Sequence, residues 1–224
     1  GSNLYSVNLE NADLTNANIF GVNFSKTTTD GIDLSKAIDI QSYENEEKSD
    51  LESLHKYSNL SEMNFSNQDI SNRDISESKL NDIDFSNSNF MNNKMAHVNF
   101  QGSDLSYADL RNTELISSDL SGVNLIGANL SGANLSGANL SGANLSGADL
   151  SDSILYGADL TGAYLKNSDF SRAELNGANF DGAHAQKMIL DDTVLEGVSF
   201  RGVHMEGYDF SDKSLVGVDF QNAI

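Results

Sequence analysis

The sequence predicts an all-β solenoid in which short extended segments and tight corners wind around a narrow apolar core. Three observations carry that prediction. The first is a five-residue period: from Leu60 to Phe220 every fifth residue gives 33 positions, of which 19 are Leu, 9 Phe, 2 Ile and 2 Met, with Ala185 the exception. The second is a small or apolar residue two places before most centres, as at Ala108, Val123, Ala128, Ala133 and Ala138. The third is composition. Apolar residues are 38% of the 224, and Trp and Pro are absent, so bulky side chains must fall at strict intervals to enclose a core.

Each part of the unit has a physical reason. A period of five fits neither a 3.6-residue helix nor a long alternating strand. A small residue and a centre two apart lie on the same side of an extended segment, so both face inward. The Asn or Asp between them then faces out. Ser-Gly follows the centre in the most regular stretch, SGANLSGANLSGANLSGADL at 131–150, where glycine relaxes the steric limits of a corner.

An earlier block runs Leu4, Leu9, Leu14, Ile19, Phe24, Thr29, Leu34, with only Thr29 out of pattern. The spacing from Leu34 to Leu60 is 26, so the register shifts between the blocks. Ser49-Asp50-Leu51-Glu52 has the form of a capping box, with Leu51 and Leu54 on one helical face, which predicts an acidic loop and a short helix over 49–57. The expected organisation is N-terminal coils over 1–40, an insertion over 41–59 and the main repeat over 60–224. The insertion reads either as a tolerated break between coils or as a recognition loop.

Units such as Ala128-Asn129-Leu130-Ser131-Gly132 resemble the A(D/N)LxG motif of the pentapeptide-repeat family, and the resemblance covers most of the chain. It implies a right-handed quadrilateral β-helix with four units per coil and about ten coils, a rod roughly 50 Å long at about 4.8 Å per coil. Residues 20 apart should then stack: Phe180, Phe200 and Phe220 in one ladder, Phe65 over Phe85, and His184 over His204. Arg73 and Lys213 fall at the inward small position, where they should distort the coil or snorkel outward, so irregular geometry is expected near both ends of the main repeat.

The chain has 13 basic and 33 acidic residues and a formal charge of −20, which argues against direct binding to nucleic acid or anionic lipid and favours basic partners. No apolar run approaches the roughly 18 residues of a membrane span. The absence of Cys excludes disulfides, thiolate metal sites and Cys nucleophiles. No Ser-His-Asp arrangement, phosphate loop or dinucleotide fingerprint occurs, and the expected interior is too narrow for a substrate. The expectation is therefore no enzyme, no catalytic residues, no cofactor and no metal, since His184, His204 and Glu206 lack a further firm ligand. The Asn-Leu-Ser triplets match a glycosylation pattern that the repeat itself generates. Gly1-Ser2 reads as a cloning scar. The end at Gln221–Ile224 falls within a repeat, so truncation or closure by self-association as a homodimer is expected there. The expected compartment is a bacterial cytoplasm.

With four units per coil, two surfaces stand out. Asp69, Asp109, Asp149, Asp169 and Asp209 take the outward position of one face, with Asp152, Asp191, Asp192 and Asp212 near its edge and Arg111 and Arg172 as opposing bases. Ile116, Ile154, Tyr156, Val194 and Val216 point outward from another. The leading reading is a non-enzymatic rod that presents a surface to another protein, for which a contiguous apolar patch would be the signature. The alternative is a DNA mimic that binds a type II topoisomerase such as DNA gyrase, as the resemblance to quinolone-resistance members implies. Carboxylates repeating along a narrow rod would then imitate a nucleic-acid backbone.

Overall fold

Backbone pairing follows the sequence period. In the computed structural model, which describes residues 65–205 and 207–224, outward residues pair in parallel with the residue 20 positions on, from Asp69 with Asn89 through Asp149 with Asp169 to Ser199 with Asp219. The chain forms a right-handed quadrilateral β-helix, and residues 65–224 wind through eight coils of four sides each. The expected N-terminal coils over 1–40 and the loop and helix over 41–59 lie outside the described residues.

We number the faces in chain order. Every twentieth centre belongs to one face: the first contains Phe65, Phe85 and Leu105, the second Ile70, Phe90 and Leu110, the third Ile75, Met95 and Leu115, and the fourth Leu80, Phe100 and Leu120. Within a face, the N–H of each centre donates to the next coil and that of the outward residue to the previous one. Leu130 N–H reaches Asp149 O at 2.7 Å, and Asp149 N–H reaches Ala128 O at 3.0 Å. The short sides are thus held by ladders between coils.

The centres and the small residues before them form one continuous core, nearly all of it fully buried between Phe65 and Val203. Each buried Leu or Phe contributes about 1.5–3 kcal/mol by leaving water. The aromatic ladders form where the twenty-residue register places them. Phe65 and Phe85 lie 5.4 Å apart, Phe180 and Phe200 5.2 Å, and Phe200 and Phe220 5.7 Å between ring centroids. Polar residues at the small position cap the ladder from within. Ser88, Ser103 and Ser118 donate to Phe65 O, Leu80 O and Met95 O, each 23 residues back, at 2.8, 2.6 and 2.7 Å.

Among the described residues the corner, two places after the centre, lies at positive φ except at Asp212, and 16 of these positive-φ corners are not glycine. Asn fills many of these corners, including Asn67, Asn72, Asn87, Asn92 and Asn112, because its short amide tolerates the left-handed region better than bulky side chains do. The outward Asn or Asp completes the corner. Its Oδ1 accepts the backbone N–H two residues on, as in Ser131 to Asn129 at 3.0 Å and Ser151 to Asp149 at 2.9 Å. Either residue supplies that oxygen, and the ladder also forms with Lys94, Ile154 and Tyr164 at the same position.

Regularity ends between the last two coils. Among the described residues, no pairing joins His184 to His204, Ile189 to Asp209 or Val194 to Ser214, whereas the fourth face keeps Ser199 with Asp219. Two side chains explain the separation. Tyr208 and Lys213 occupy inward small positions, and neither snorkels to solvent as the sequence suggested for Lys213. The Tyr208 hydroxyl donates to Ala185 O, and Lys213 Nζ donates to Leu190 O, again 23 residues back. They bond the carbonyls that Ser and Thr bond elsewhere, but on much longer arms, so the final coil stands off. At the other end the ladder around Arg73 is regular, with Lys94 N–H on Arg73 O at 2.8 Å, so among the described residues the ladder opens at the C-terminal end and not at Arg73.

Candidate functional site

The second face carries the acid. Asp69, Asp109, Asp149, Asp169 and Asp209 all take its outward position, and each accepts a backbone N–H from the residue two ahead. Asp152, Asp192 and Asp212 stand at its corners, and Asp191 lies on the face beside Ile189. This gathers nine carboxylates against Arg111 and Arg172, a denser acidic grouping than on the other faces.

The two arginines neutralise part of it locally. Arg111 holds Asp109 through Nε at 2.8 Å and Nη2 at 2.6 Å, and the guanidinium pulls that carboxyl below its ordinary value. Arg172 reaches back one coil to Asp152 with both bonds at 2.7 Å, lowering that carboxyl in the same way, and Asp169 and Asp192 add to the field on Arg172. Both pairs are exposed, so they add little stability and chiefly fix geometry. Asp149, Asp169, Asp191 and Asp192 form no ion pair among the described residues. One place in the outward column is apolar: Ile189 stands above Asp169 and is 41% exposed.

The third face does present Ile116, Ile154, Tyr156, Val194 and Val216 together, but not as one patch. Glu174 lies between Ile154 and Val194 in the ladder, and the twenty-residue register places Asn176 and Glu196 between Tyr156 and Val216. Only Ile154 and Tyr156 share a coil. The contiguous apolar surface considered from sequence is interrupted by charge.

The histidine expectation is also corrected. His184 stacks on Tyr164, with ring centroids 4.8 Å apart and planes at 15°, while the coil separation breaks its register with His204. Among the described residues, no group of three or more His, Cys, Asp or Glu could hold a metal ion, and no helix is long and apolar enough to cross a membrane.

Comparison with known proteins agrees with the repeat described above. A model of pentapeptide repeats matches in eight copies, over residues 1–35 and, in overlapping copies, 74–212. The chain belongs to the pentapeptide-repeat family. Among solved structures, a trypsin-treated variant of QnrB1, a plasmid-mediated fluoroquinolone resistance protein, is similar at a TM-score of 0.66 and 22% identity, over 71% of this chain and 80% of that one. HetL, a pentapeptide repeat protein of heterocyst differentiation regulation from the cyanobacterium Nostoc sp. strain PCC 7120, is 26% identical over 98% of this chain and 87% of its own, at a TM-score of 0.37. No curated protein matches the sequence. In this pentapeptide-repeat protein, sequence reasoning found both faces but missed a cleft of about 370 Å³ between the last two coils, lined in part by Met188, Ile189, Tyr208 and Lys213. Its signal was present in Tyr208, a large residue in a small slot.

Proposed function

We infer that the protein is a non-enzymatic β-helical rod that binds a protein partner, and that the second face is the binding surface. The observation that carries this reading is the run of carboxylates along one face, with Asp149, Asp169, Asp191 and Asp192 outside any ion pair among the described residues. Such a surface attracts a basic partner, and the attraction weakens as salt rises. The broken third face offers less contiguous area for an apolar contact. Partner capture with wild type and with Asp109→Asn, Asp149→Asn, Asp169→Asn combined tests the assignment. The triple variant should lose a partner that salt also releases from wild type. A partner lost instead on Tyr156→Asp, and indifferent to salt, would move the interface to the third face.

A narrower reading identifies the partner as a type II topoisomerase such as DNA gyrase, whose DNA-binding groove the rod would occupy. The recurrence of carboxylates on adjacent coils of a narrow rod favours it. A gyrase supercoiling assay at two salt concentrations tests it: inhibition by wild type should fade with salt and disappear in the triple variant. Absence of inhibition at low salt rejects the topoisomerase and leaves the broader reading standing.

A further inference from the structure

The break between the last two coils opens a strand edge inside the acidic face. In the preceding coils of that face the centre and the corner donate upward: Phe170 N–H to Ile189 O at 2.9 Å and Arg172 N–H to Asp191 O at 2.7 Å. One coil later the equivalent acceptors would be Asp209 O and Ser211 O. Leu190 N–H and Asp192 N–H bond neither of them, nor any other group among the described residues. Leu190 therefore brings an open donor to the cleft it lines, and Asp192 N–H stands at the corner just beyond it. Tyr208 and Lys213 prop the cleft open, and the Tyr208 hydroxyl also accepts Met188 N–H at 2.8 Å, as Ser103 Oγ accepts Ile83 N–H in a regular coil. Leu190 is 6% exposed where most centres of the preceding coils are at 0 to 1%, so the core begins to open at this point.

We propose that this cleft is a docking slot for an extended, basic segment of the protein partner, which adds a strand between the two coils. The proposal rests on the acidic-face reading for the charge of the partner. Free main-chain donors on a sheet edge recognise an extended backbone, whatever its sequence. Asp191 and Asp209 in its lining, with Asp192 at the adjoining corner, select lysine or arginine side chains on that segment. Ile189, exposed beside them, gives an alternate apolar residue of the segment a contact. Lys187 and Lys213 lie at the same cleft, but Lys213 Nζ is engaged by Leu190 O, which leaves Lys187 against the carboxylates of Asp191, Asp192 and Asp209. The slot is continuous with Asp149 and Asp169, which places the strand at the end of the acidic surface.

Amide hydrogen exchange at Leu190 and Asp192 of the full chain tests this, with a capped peptide of alternating lysine and valine as probe. Three arms accompany it: the same peptide N-methylated at each valine, its glutamate counterpart, and the variant Tyr208→Ala, Lys213→Thr, which should let the last coil close. The lysine peptide should slow exchange at both amides by about tenfold or more in wild type, and the other two peptides should not. In the variant both amides should already be slow, with no further change on adding peptide. Four outcomes would overturn the proposal: equal protection by the N-methylated peptide, equal protection by the glutamate peptide, amides in free wild type as slow as Phe170, or protection that grows with protein concentration without peptide. The last would assign the slot to a second copy. Asp109→Asn, Asp149→Asn, Asp169→Asn leaves the cleft residues intact, so peptide protection at Leu190 is measured separately from loss of the wider acidic surface.

Discussion

Each residue of the repeat answers a local demand, and the exceptions identify which demand is strongest. The corner requires positive φ, so Gly142→Ala should cost about 1 kcal/mol through backbone strain alone, because a Cβ there meets nothing within 4 Å. The inward small position requires satisfied polar groups. Asn93 is fully buried, and its Nδ2 has no partner among the described residues, although its Oδ1 accepts Arg73 N–H at 2.7 Å. A serine there would repeat Ser103, whose Oγ accepts Ile83 N–H at 3.1 Å and donates to Leu80 O. Asn93→Ser should therefore raise stability by about 1 kcal/mol in denaturant unfolding. Asp109 and Tyr208 respond to pH in opposite senses. The Arg111 guanidinium bonds Asp109 and depresses its pKa from the ordinary 3.8, so the folded state favours the ionised form. That stabilisation is complete above the ordinary value and is lost as pH falls through the depressed one. Tyr208 behaves in the opposite sense, since burial raises its pKa from 10.0 and Met188 N–H opposes the rise only in part. Its contribution is complete below the ordinary value and is lost as pH climbs through the raised one, because a phenolate cannot donate to Ala185 O. Alkaline titration should open the last coil first, seen as faster amide exchange over 208–213 than over 128–150.

At the scale of the coil, stability should depend on position along the rod. Leu135 is fully buried with a coil on either side, so Leu135→Ala should cost about 2–5 kcal/mol. Leu215 occupies the same kind of position in the last coil yet is 38% exposed, so Leu215→Ala should cost markedly less, as a pair of urea titrations would show. Much of this element was legible beforehand. Leu and Phe at every fifth place, with Ala two before, dictated inward and outward positions, and the Phe180, Phe200 and Phe220 ladder followed from the register. The separation of the final coil was not legible from period, because Met205, Phe210, Leu215 and Phe220 keep the five-residue spacing through it. What separates it is the reach of Tyr208 and Lys213, a property of side-chain length at the small position. The tolerance of Asn, Asp, Tyr107 and Arg172 at corners was likewise hidden, since the Ser-Gly stretches suggested a stricter glycine requirement.

Over the whole molecule, charge is the property that fold does not explain. Asn129 and Asp149 make the same backbone bond, so the corner accepts either, and the excess of Asp on the second face changes electrostatics alone. Asp109→Asn, Asp149→Asn, Asp169→Asn should thus leave the thermal midpoint unchanged or slightly raised, as self-repulsion falls, while removing partner binding. The acidic face was readable in the sequence once four units per coil were assumed. The interruption of the apolar face was not, because Glu174, Asn176 and Glu196 matter only through their place between Ile154, Tyr156, Val194 and Val216. Photo-cross-linking from Ser151 on the second face and from Tyr156 on the third, in the presence of the captured partner, tests the surface assignment most directly. The acidic-face account predicts cross-links from Ser151 that disappear as salt is raised, and none from Tyr156. Salt-insensitive cross-links from Tyr156, with none from Ser151, would contradict it.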